Sequence, residues 1–401
     1  MIYGGGLVTM DATLAREEDA MSQDKLLLIP GPSPIVPRIL GALAKPTVSH
    51  VGPDMVHDFK EACENLKRIV FCKNGEPFII SGAGTLSMEM AVLNTAGPGD
   101  RVLVLSQGYF GQRMAQICLA FGLEHDVLEC EWGKAVTPRE LDQKLKSRNY
   151  NVVVCTHVDT STGACAPVED YASVLDKTGS LFIVDGVCAT GGVPERMDDW
   201  GIDVVLTAAQ KCLGAPPGLA ILVLSEPAME KRRSLASVPA YYSDLLRWLP
   251  IMHDPARYFS TPCVNEIRAF AEATRIILEE GVEERFERHD LLAEAIRAGL
   301  AALGFTFFTD PRFAASTLSV VRYPDGVDDK AFRAGLSENG VVVAGGLAQT
   351  LGKVFRMGHM GNLTSAQVKF AIEAVEKTLQ GLGCRFKPGS GREAVGNVLT
   401  A

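Results

Sequence analysis

Lys211 is the residue whose type and setting point most directly to chemistry. It follows the apolar run Val204-Val205-Leu206-Thr207 through Ala208-Ala209-Gln210 and precedes Cys212-Leu213-Gly214-Ala215-Pro216-Pro217-Gly218. Apolar surroundings favour the neutral amine, the form that attacks a carbonyl to make a Schiff base. An arbitrary lysine is far more often a surface charge, so its neighbours in the fold have to carry the argument. Asp185 ends the run Leu181-Phe182-Ile183-Val184. A carboxylate there can hold a ring nitrogen protonated, cap a helix or bind a metal. Ser81-Gly82-Ala83-Gly84-Thr85 is a Gly-rich passage from strand to helix, which aims backbone N–H groups at an anion such as phosphate. It has neither the G-K-[ST] ending of a nucleotide P-loop nor the full G-x-G-x-x-G spacing. Thr156-His157-Val158-Asp159-Thr160-Ser161-Thr162-Gly163 is a strand running into a hydroxyl-rich loop, where Thr160 can hydrogen-bond a ring substituent or merely close a turn. His157, flanked by Thr156 and Val158, reads as a satisfied core residue and stays outside the catalytic set.

These residues need a scaffold that gathers strand ends. From about residue 78, short apolar runs alternate with Gly-, Ser- or Thr-rich turns and helix-length segments: Phe78–Ser81, Val102–Leu105, Asn151–Val158, Leu181–Asp185, Val204–Thr207 and Leu219–Leu224. Continuously apolar strands between helices predict a mainly parallel sheet covered on both faces, with ligands at the strands' carboxyl ends. Thr137-Pro138-Arg139-Glu140 combines a capping box with proline at the first helical position. After Asn265 the pattern changes to two long amphipathic helices, about 265–281 and 282–303, then short strands at 317–323, 341–345 and 353–357 and a last helix capped near Thr364. The expected fold is α/β: a large domain over 25–264 including an N-terminal arm, and a smaller α+β domain over 265–386. An extension over 1–24 and a Pro/Gly/Ser-rich tail over 387–401 are expected to be flexible.

Bulk properties narrow the class. The chain of 401 residues, 47% of them hydrophobic, exceeds the size at which one core usually splits. A net charge of -9 and the absence of a Lys/Arg block argue against nucleic acid as a partner. Ten scattered cysteines with no C-x-x-C pair argue against zinc and a disulfide framework, and point to a reducing, cytoplasmic setting. No run approaches the roughly 20 apolar residues of a membrane-spanning helix, so no membrane association is expected.

Taken in order, the Gly-rich turn, the His157-to-Gly163 loop, the strand ending in Asp185 and Gln210-Lys211-Cys212-Leu213-Gly214-Ala215-Pro216-Pro217-Gly218 resemble the class V aminotransferases of pyridoxal-phosphate (PLP) fold type I. The resemblance is strongest to the alanine/serine:glyoxylate branch and runs from about Leu26, through Pro30-Gly31-Pro32-Ser33, to about Leu382. It implies PLP as cofactor, Lys211 as its Schiff-base lysine and Asp185 as partner of the pyridine nitrogen. It also implies Thr160 near the ring hydroxyl, Ala83, Gly84, Thr85 and Gln210 around the phosphate, and Phe110 and Val187 on opposite faces of the ring. Tyr258 and Thr261 would complete the phosphate site of the other subunit in a homodimer with shared active sites. Arg356 would clamp the substrate carboxylate, as suits a planar two-bond donor.

The sequence departs from close relatives at Thr85, where histidine is frequent, and at Phe110, where tryptophan is frequent. Ser49-His50-Val51-Gly52-Pro53 differs as well, and it places His50 at the border of the substrate site. The resemblance implies amino transfer from alanine or serine to glyoxylate or pyruvate. The rival readings are a ureidoglycine:glyoxylate transaminase of purine breakdown, a PLP lyase such as a cysteine desulfurase, and a binding module without catalysis. The lyase would need a mobile nucleophilic cysteine, which neither Cys263 nor Cys384 resembles, and a binding module would typically have lost Lys211 or Asp185.

Overall fold

The computed structural model describes residues 25–400; the extension expected over 1–24 lies outside them. The strands are β1 (Leu26–Leu27), β2 (Glu76–Ser81), β3 (Arg101–Ser106), β4 (Glu124–Glu129), β5 (Val152–Thr156), β6 (Val158–Asp159), β7 (Ala164–Cys165), β8 (Leu181–Asp185), β9 (Val204–Ala208) and β10 (Leu219–Leu224). They continue with β11 (Thr306–Phe307), β12 (Leu318–Arg322), β13 (Val341–Val342), β14 (Ala344–Gly345) and β15 (Val354–Gly358).

A seven-stranded sheet has the order β2-β10-β9-β8-β5-β3-β4. Only β10 runs against the rest, antiparallel to both β2 and β9. The segment 209–218 between β9 and β10 contains no helix, so it cannot make the crossover that a parallel neighbour requires; it turns back instead and leaves Lys211 at the carboxyl end of β9. The central strands β5, β8, β9 and β10 are buried almost throughout, which is why they read as unbroken apolar runs. The expected α/β class with a mainly parallel sheet is therefore the observed one.

A second, antiparallel sheet has the order β11-β12-β15-β14. Its core joins Leu292, Ile296 and Leu300 to Phe332, Phe355, Val368 and Ile372. The packing corrects the expected boundaries at three points. The helix Val264–Glu280 packs with the large core through Ile267, Phe270 and Ile277, so the change of core falls at the break around Gly281 and not at 265. The N-terminal arm crosses over: β1 pairs parallel with β13, and Leu28 is buried in the smaller core. The stretch from Lys387 is not a loose tail, because Ser390–Leu399 is a helix that buries Val395. Glu376 explains it, since its carboxylate accepts the backbone N–H groups of Gly389 and Gly391 at 3.0 Å and of Arg392 at 3.2 Å, anchoring the helix start.

Both sequence-marked helix starts form capping boxes, Thr137 with Glu140 and Thr364 with Gln367. Among the described residues no helix is long and apolar enough to cross a membrane, and all ten cysteines are free thiols.

Candidate active site

Lys211 leaves β9 half-buried and is wrapped by the N-terminal arm. Its Nζ donates to the carbonyl of Pro30. The Ser33 hydroxyl donates to the Lys211 carbonyl at 2.8 Å, and the Ser33 N–H to the Gln210 carbonyl at 3.0 Å. Gly31, at φ +89°, lies against the lysine side chain so closely that a β-carbon would overlap it.

Asp185, at the carboxyl end of the neighbouring β8, is 2% exposed. It accepts the Val187 N–H at 3.1 Å and lies 3.4 Å from the Thr156 hydroxyl. Among the described residues it has no ion-pair partner. Burial pushes its carboxyl up to about 7, against the Val187 hydrogen bond and with the help of Asp159 and Glu195 nearby. A ligand that brings a nitrogen-bound proton to this carboxylate would restore what burial removes.

The Gly-rich turn after β2 opens the helix Gly84–Leu93, with Ala83 extended as its N-cap. The first amides of that helix, Gly84 and Thr85, donate to no acceptor among the described residues and remain available to an anion. A β-carbon on Gly84 would stand 3.2 Å from Ala208 Cβ and 3.3 Å from Val187, so glycine lets the turn approach both neighbouring segments. Among the described residues, Gln210 Oε1 is buried without a hydrogen-bond partner.

Phe110 lies at the start of the helix Tyr109–Ala120, which Asp159 anchors: its carboxylate accepts the Phe110 N–H at 2.9 Å and both the Ser161 N–H and hydroxyl at 2.9 and 2.6 Å. The Ser161 hydroxyl in turn accepts the Tyr109 N–H at 2.9 Å. Burial raises the Asp159 pKa, and these donors oppose the rise.

These features converge on one cavity of about 240 Å³. Eight sequence-nominated residues line it: Ala83, Gly84, Thr85, Phe110, Asp185, Val187, Gln210 and Lys211. Sequence reasoning missed Met88, Arg113, Thr156, Val158 and Cys188, which also line it. Arg113 matters most among them. Its guanidinium lies 4.9 Å from the centre of the Phe110 ring and 3.4 Å from the Thr85 hydroxyl, and no carboxylate pairs with it among the described residues. Only its place one helical turn beyond Tyr109 could have flagged it. Cys188 is buried, and burial pushes its thiol up to about 11, so it is protonated at neutral pH. Neither Cys263 nor Cys384 lines the cavity.

Five nominated residues lie outside that lining. Thr160 and Arg356 adjoin each other: Arg356, on β15, donates through Nε to the Gly345 carbonyl at 2.8 Å and through Nη1 to the Thr160 carbonyl at 3.3 Å. No carboxylate pairs with Arg356 among the described residues, and burial lowers its pKa. His50, Tyr258 and Thr261 form a separate group, with the His50 and Tyr258 rings 5.6 Å apart and the Tyr258 and Thr261 hydroxyls 3.5 Å apart. Tyr258 is 66% exposed on the single chain. His157 is buried and paired with Glu195 at 2.8 Å, a structural role. A larger hollow of about 860 Å³, bordered by Trp132, Lys134, Phe308, Arg322 and Lys353, gathers none of the nominated residues. The nominated residues therefore gather at the smaller cavity.

The model of a family described as aminotransferase class-V matches residues 39–371. An uncharacterized aminotransferase of Methanocaldococcus jannaschii is 38% identical over 94% of this chain and 97% of its own. An L-aspartate–glyoxylate aminotransferase of Paracoccus denitrificans is 33% identical, covering 92% and 95%. The alanine–glyoxylate aminotransferase 1 of Saccharomyces cerevisiae is 33% identical, covering 88% and 97%. Among solved structures, the ureidoglycine–glyoxylate aminotransferase of Bacillus subtilis superposes with a TM-score of 0.90 at 27% identity, covering 96% of this chain and 100% of that one.

Proposed function

The chain belongs to the class V aminotransferase family, and from that premise we propose that it moves an amino group from alanine or serine to glyoxylate or pyruvate, with PLP held on Lys211. The carrying observation is that Lys211, Asp185 and the free amides of Gly84 and Thr85 meet at one cavity. The residues present fit the cofactor. Among the described residues, an unpaired buried carboxylate suits its ring nitrogen, and the open N-terminus of the helix Gly84–Leu93 suits its phosphate.

Bound PLP supplies a carbonyl carbon open to amine attack and an electron-withdrawing ring. Lys211 Nζ is the amine that would hold the cofactor and, when displaced by the donor's amine, would serve as the base for the proton on the donor's Cα. Asp185 would hold a proton at the ring nitrogen, Phe110 and Val187 on the cavity wall would confine the ring, and Thr160, just outside that wall, would serve its hydroxyl. Arg356 clamps the carboxylate that every 2-amino and 2-oxo acid carries. Tyr258 and Thr261, outside the cavity of their own chain, complete the phosphate site of a second subunit in a homodimer, and His50 beside them borders the substrate. We place the enzyme in the cytoplasm, which suits ten unpaired cysteines.

Arg113 favours a second reading. An arginine on the cavity wall that pairs with no carboxylate among the described residues could receive a side-chain carboxylate, and the Paracoccus relative is named for aspartate. Measuring kcat/KM for alanine, serine, glutamate, aspartate and ureidoglycine, each with glyoxylate, separates these readings. Preference for alanine or serine supports the first. Preference for aspartate, abolished by Arg113→Leu, selects the second, and preference for ureidoglycine moves the enzyme to purine breakdown.

A further inference from the structure

Arg285 is fully buried and touches no part of the cavity, yet its guanidinium reaches the two segments that carry the central pair. Nε donates to the Gly191 carbonyl at 2.9 Å, in the loop that follows Asp185. Nη2 donates to the carbonyl of Cys212, the residue after Lys211, at 2.8 Å. Nη1 is held by Glu280 at 2.7 Å and by Asn362 at 3.1 Å.

The two segments also touch each other. The Cys212 thiol donates to the Cys188 carbonyl at 3.4 Å, and a β-carbon on Gly192 would stand 2.8 Å from Cys212 Sγ. The helix Val282–Ala302, which bears Arg285, buries Leu292, Ile296 and Leu300 in the smaller core. Burying a guanidinium is costly, and an apolar side chain of similar volume commonly serves stability as well or better. What an apolar side chain cannot do is hydrogen-bond two carbonyls at once in a fixed planar fork.

We propose that Arg285 is a positioning residue that ties the Asp185 loop and the Lys211 segment to the helix Val282–Ala302, so that the placement of carboxylate and amine across the cavity is set from the C-terminal part of the chain. Arg288 reinforces the tie. It donates to the Gly361 carbonyl at 3.0 Å, and a β-carbon on Gly361 would stand 3.3 Å from the Lys211 carbonyl oxygen. Glu280 stays paired with Arg288 when Arg285 is replaced, so no carboxylate is stranded.

This inference rests on Lys211 and Asp185 being the working pair, and the test separates the two claims. Arg285→Lys keeps the charge beside Glu280 but not the fork; Arg285→Met removes both. In each variant three quantities are measured: hydrogen exchange of segments 186–192 and 209–215 in the cofactor-free protein, the pH midpoint of the absorbance of the lysine-bound cofactor, and kcat and KM for the best donor. Exchange should rise in both segments together while the strands β3 and β5 are unchanged. The midpoint should shift, kcat should fall about tenfold, equivalent to about 1.4 kcal/mol of barrier, and KM should stay within about twofold because Arg356 is untouched. Arg285→Lys should recover part of the loss. A folded Arg285→Lys protein with unchanged exchange, midpoint and kcat would overturn the proposal, even if Arg285→Met fails to fold. Raised exchange in a chain whose unsubstituted form binds no cofactor at Lys211 would leave the tie intact as a contact while refuting the working pair, and with it the proposed role.

Discussion

Gly31 and Lys211 share one space: a β-carbon on the glycine would overlap the lysine's Cδ, and the lysine's Nζ donates to the carbonyl of Pro30 next to it. Gly31 also has φ +89°, a region that costs a residue with a side chain roughly 1 kcal/mol. Gly31→Ala should therefore displace Lys211 as well as strain the arm. The expected result is a folded protein whose kcat falls at least about tenfold. Rates and the absorbance of the lysine-bound cofactor check this together.

Asp185→Asn tests the buried carboxylate twice. In the loaded enzyme the loss of a proton held on the ring nitrogen should slow each half-reaction at least about 100-fold, or about 2.7 kcal/mol. The cofactor-free protein tests the environment alone. Its folded pKa, about 7, lies above the ordinary carboxylate value. Between these limits the folded state binds the proton that the unfolded state has lost, so Asp185 costs stability increasingly as pH rises towards about 7. Asp185→Asn should stabilise the cofactor-free protein at pH 8 and not at pH 4, by a few kcal/mol at most, about 1.4 per pKa unit. Denaturant unfolding at the two pH values reads the difference.

The residues of this site were legible where strand ends carry them. Asp185, Gln210 and Lys211 follow runs whose apolar continuity announces central strands, and β8 and β10 lie at their expected positions, Leu181–Asp185 and Leu219–Leu224. The edge strand β4, Glu124–Glu129, escaped notice because one side of it faces solvent and its residues are mostly polar. The last helix was hidden by Pro388 and Gly389, which read as a turn; Gly389 is instead an N-cap at φ +81°, and the anchoring carboxylate, Glu376, is remote in sequence. Arg113 and Arg285 owe their places to side chains meeting across elements, and no local spacing encodes that.

His157 offers a test of a different kind. Burial disfavours its charge, but Cys165 and Glu195 outweigh that and raise it to about 10. A histidine raised in this way adds stability that is fully present below its unfolded pKa of about 6.5 and is lost as pH rises through about 10. His157→Gln should lower stability at pH 6 by about 3–5 kcal/mol, the cost of breaking a buried pair. The gap from the parent protein should narrow by pH 10, as thermal unfolding across that range would show.

If Tyr258 and Thr261 serve a second subunit, cofactor affinity and self-association are linked, because each stabilises the state the other prefers. Adding PLP should shift the monomer–dimer equilibrium to the dimer in sedimentation experiments. Tyr258→Phe should weaken cofactor binding about three- to tenfold, the worth of one hydrogen bond, while leaving the fold intact. A monomer that binds PLP as tightly as the dimer contradicts the shared site.

The most direct measurement is reduction of the PLP-loaded protein with borohydride, followed by peptide mapping. A yellow protein whose cofactor becomes irreversibly fixed to the peptide containing Lys211, and a Lys211→Ala variant that retains no fixed cofactor and no turnover, is the result this account predicts. Cofactor fixed to another lysine, or normal transamination by Lys211→Ala, would contradict it.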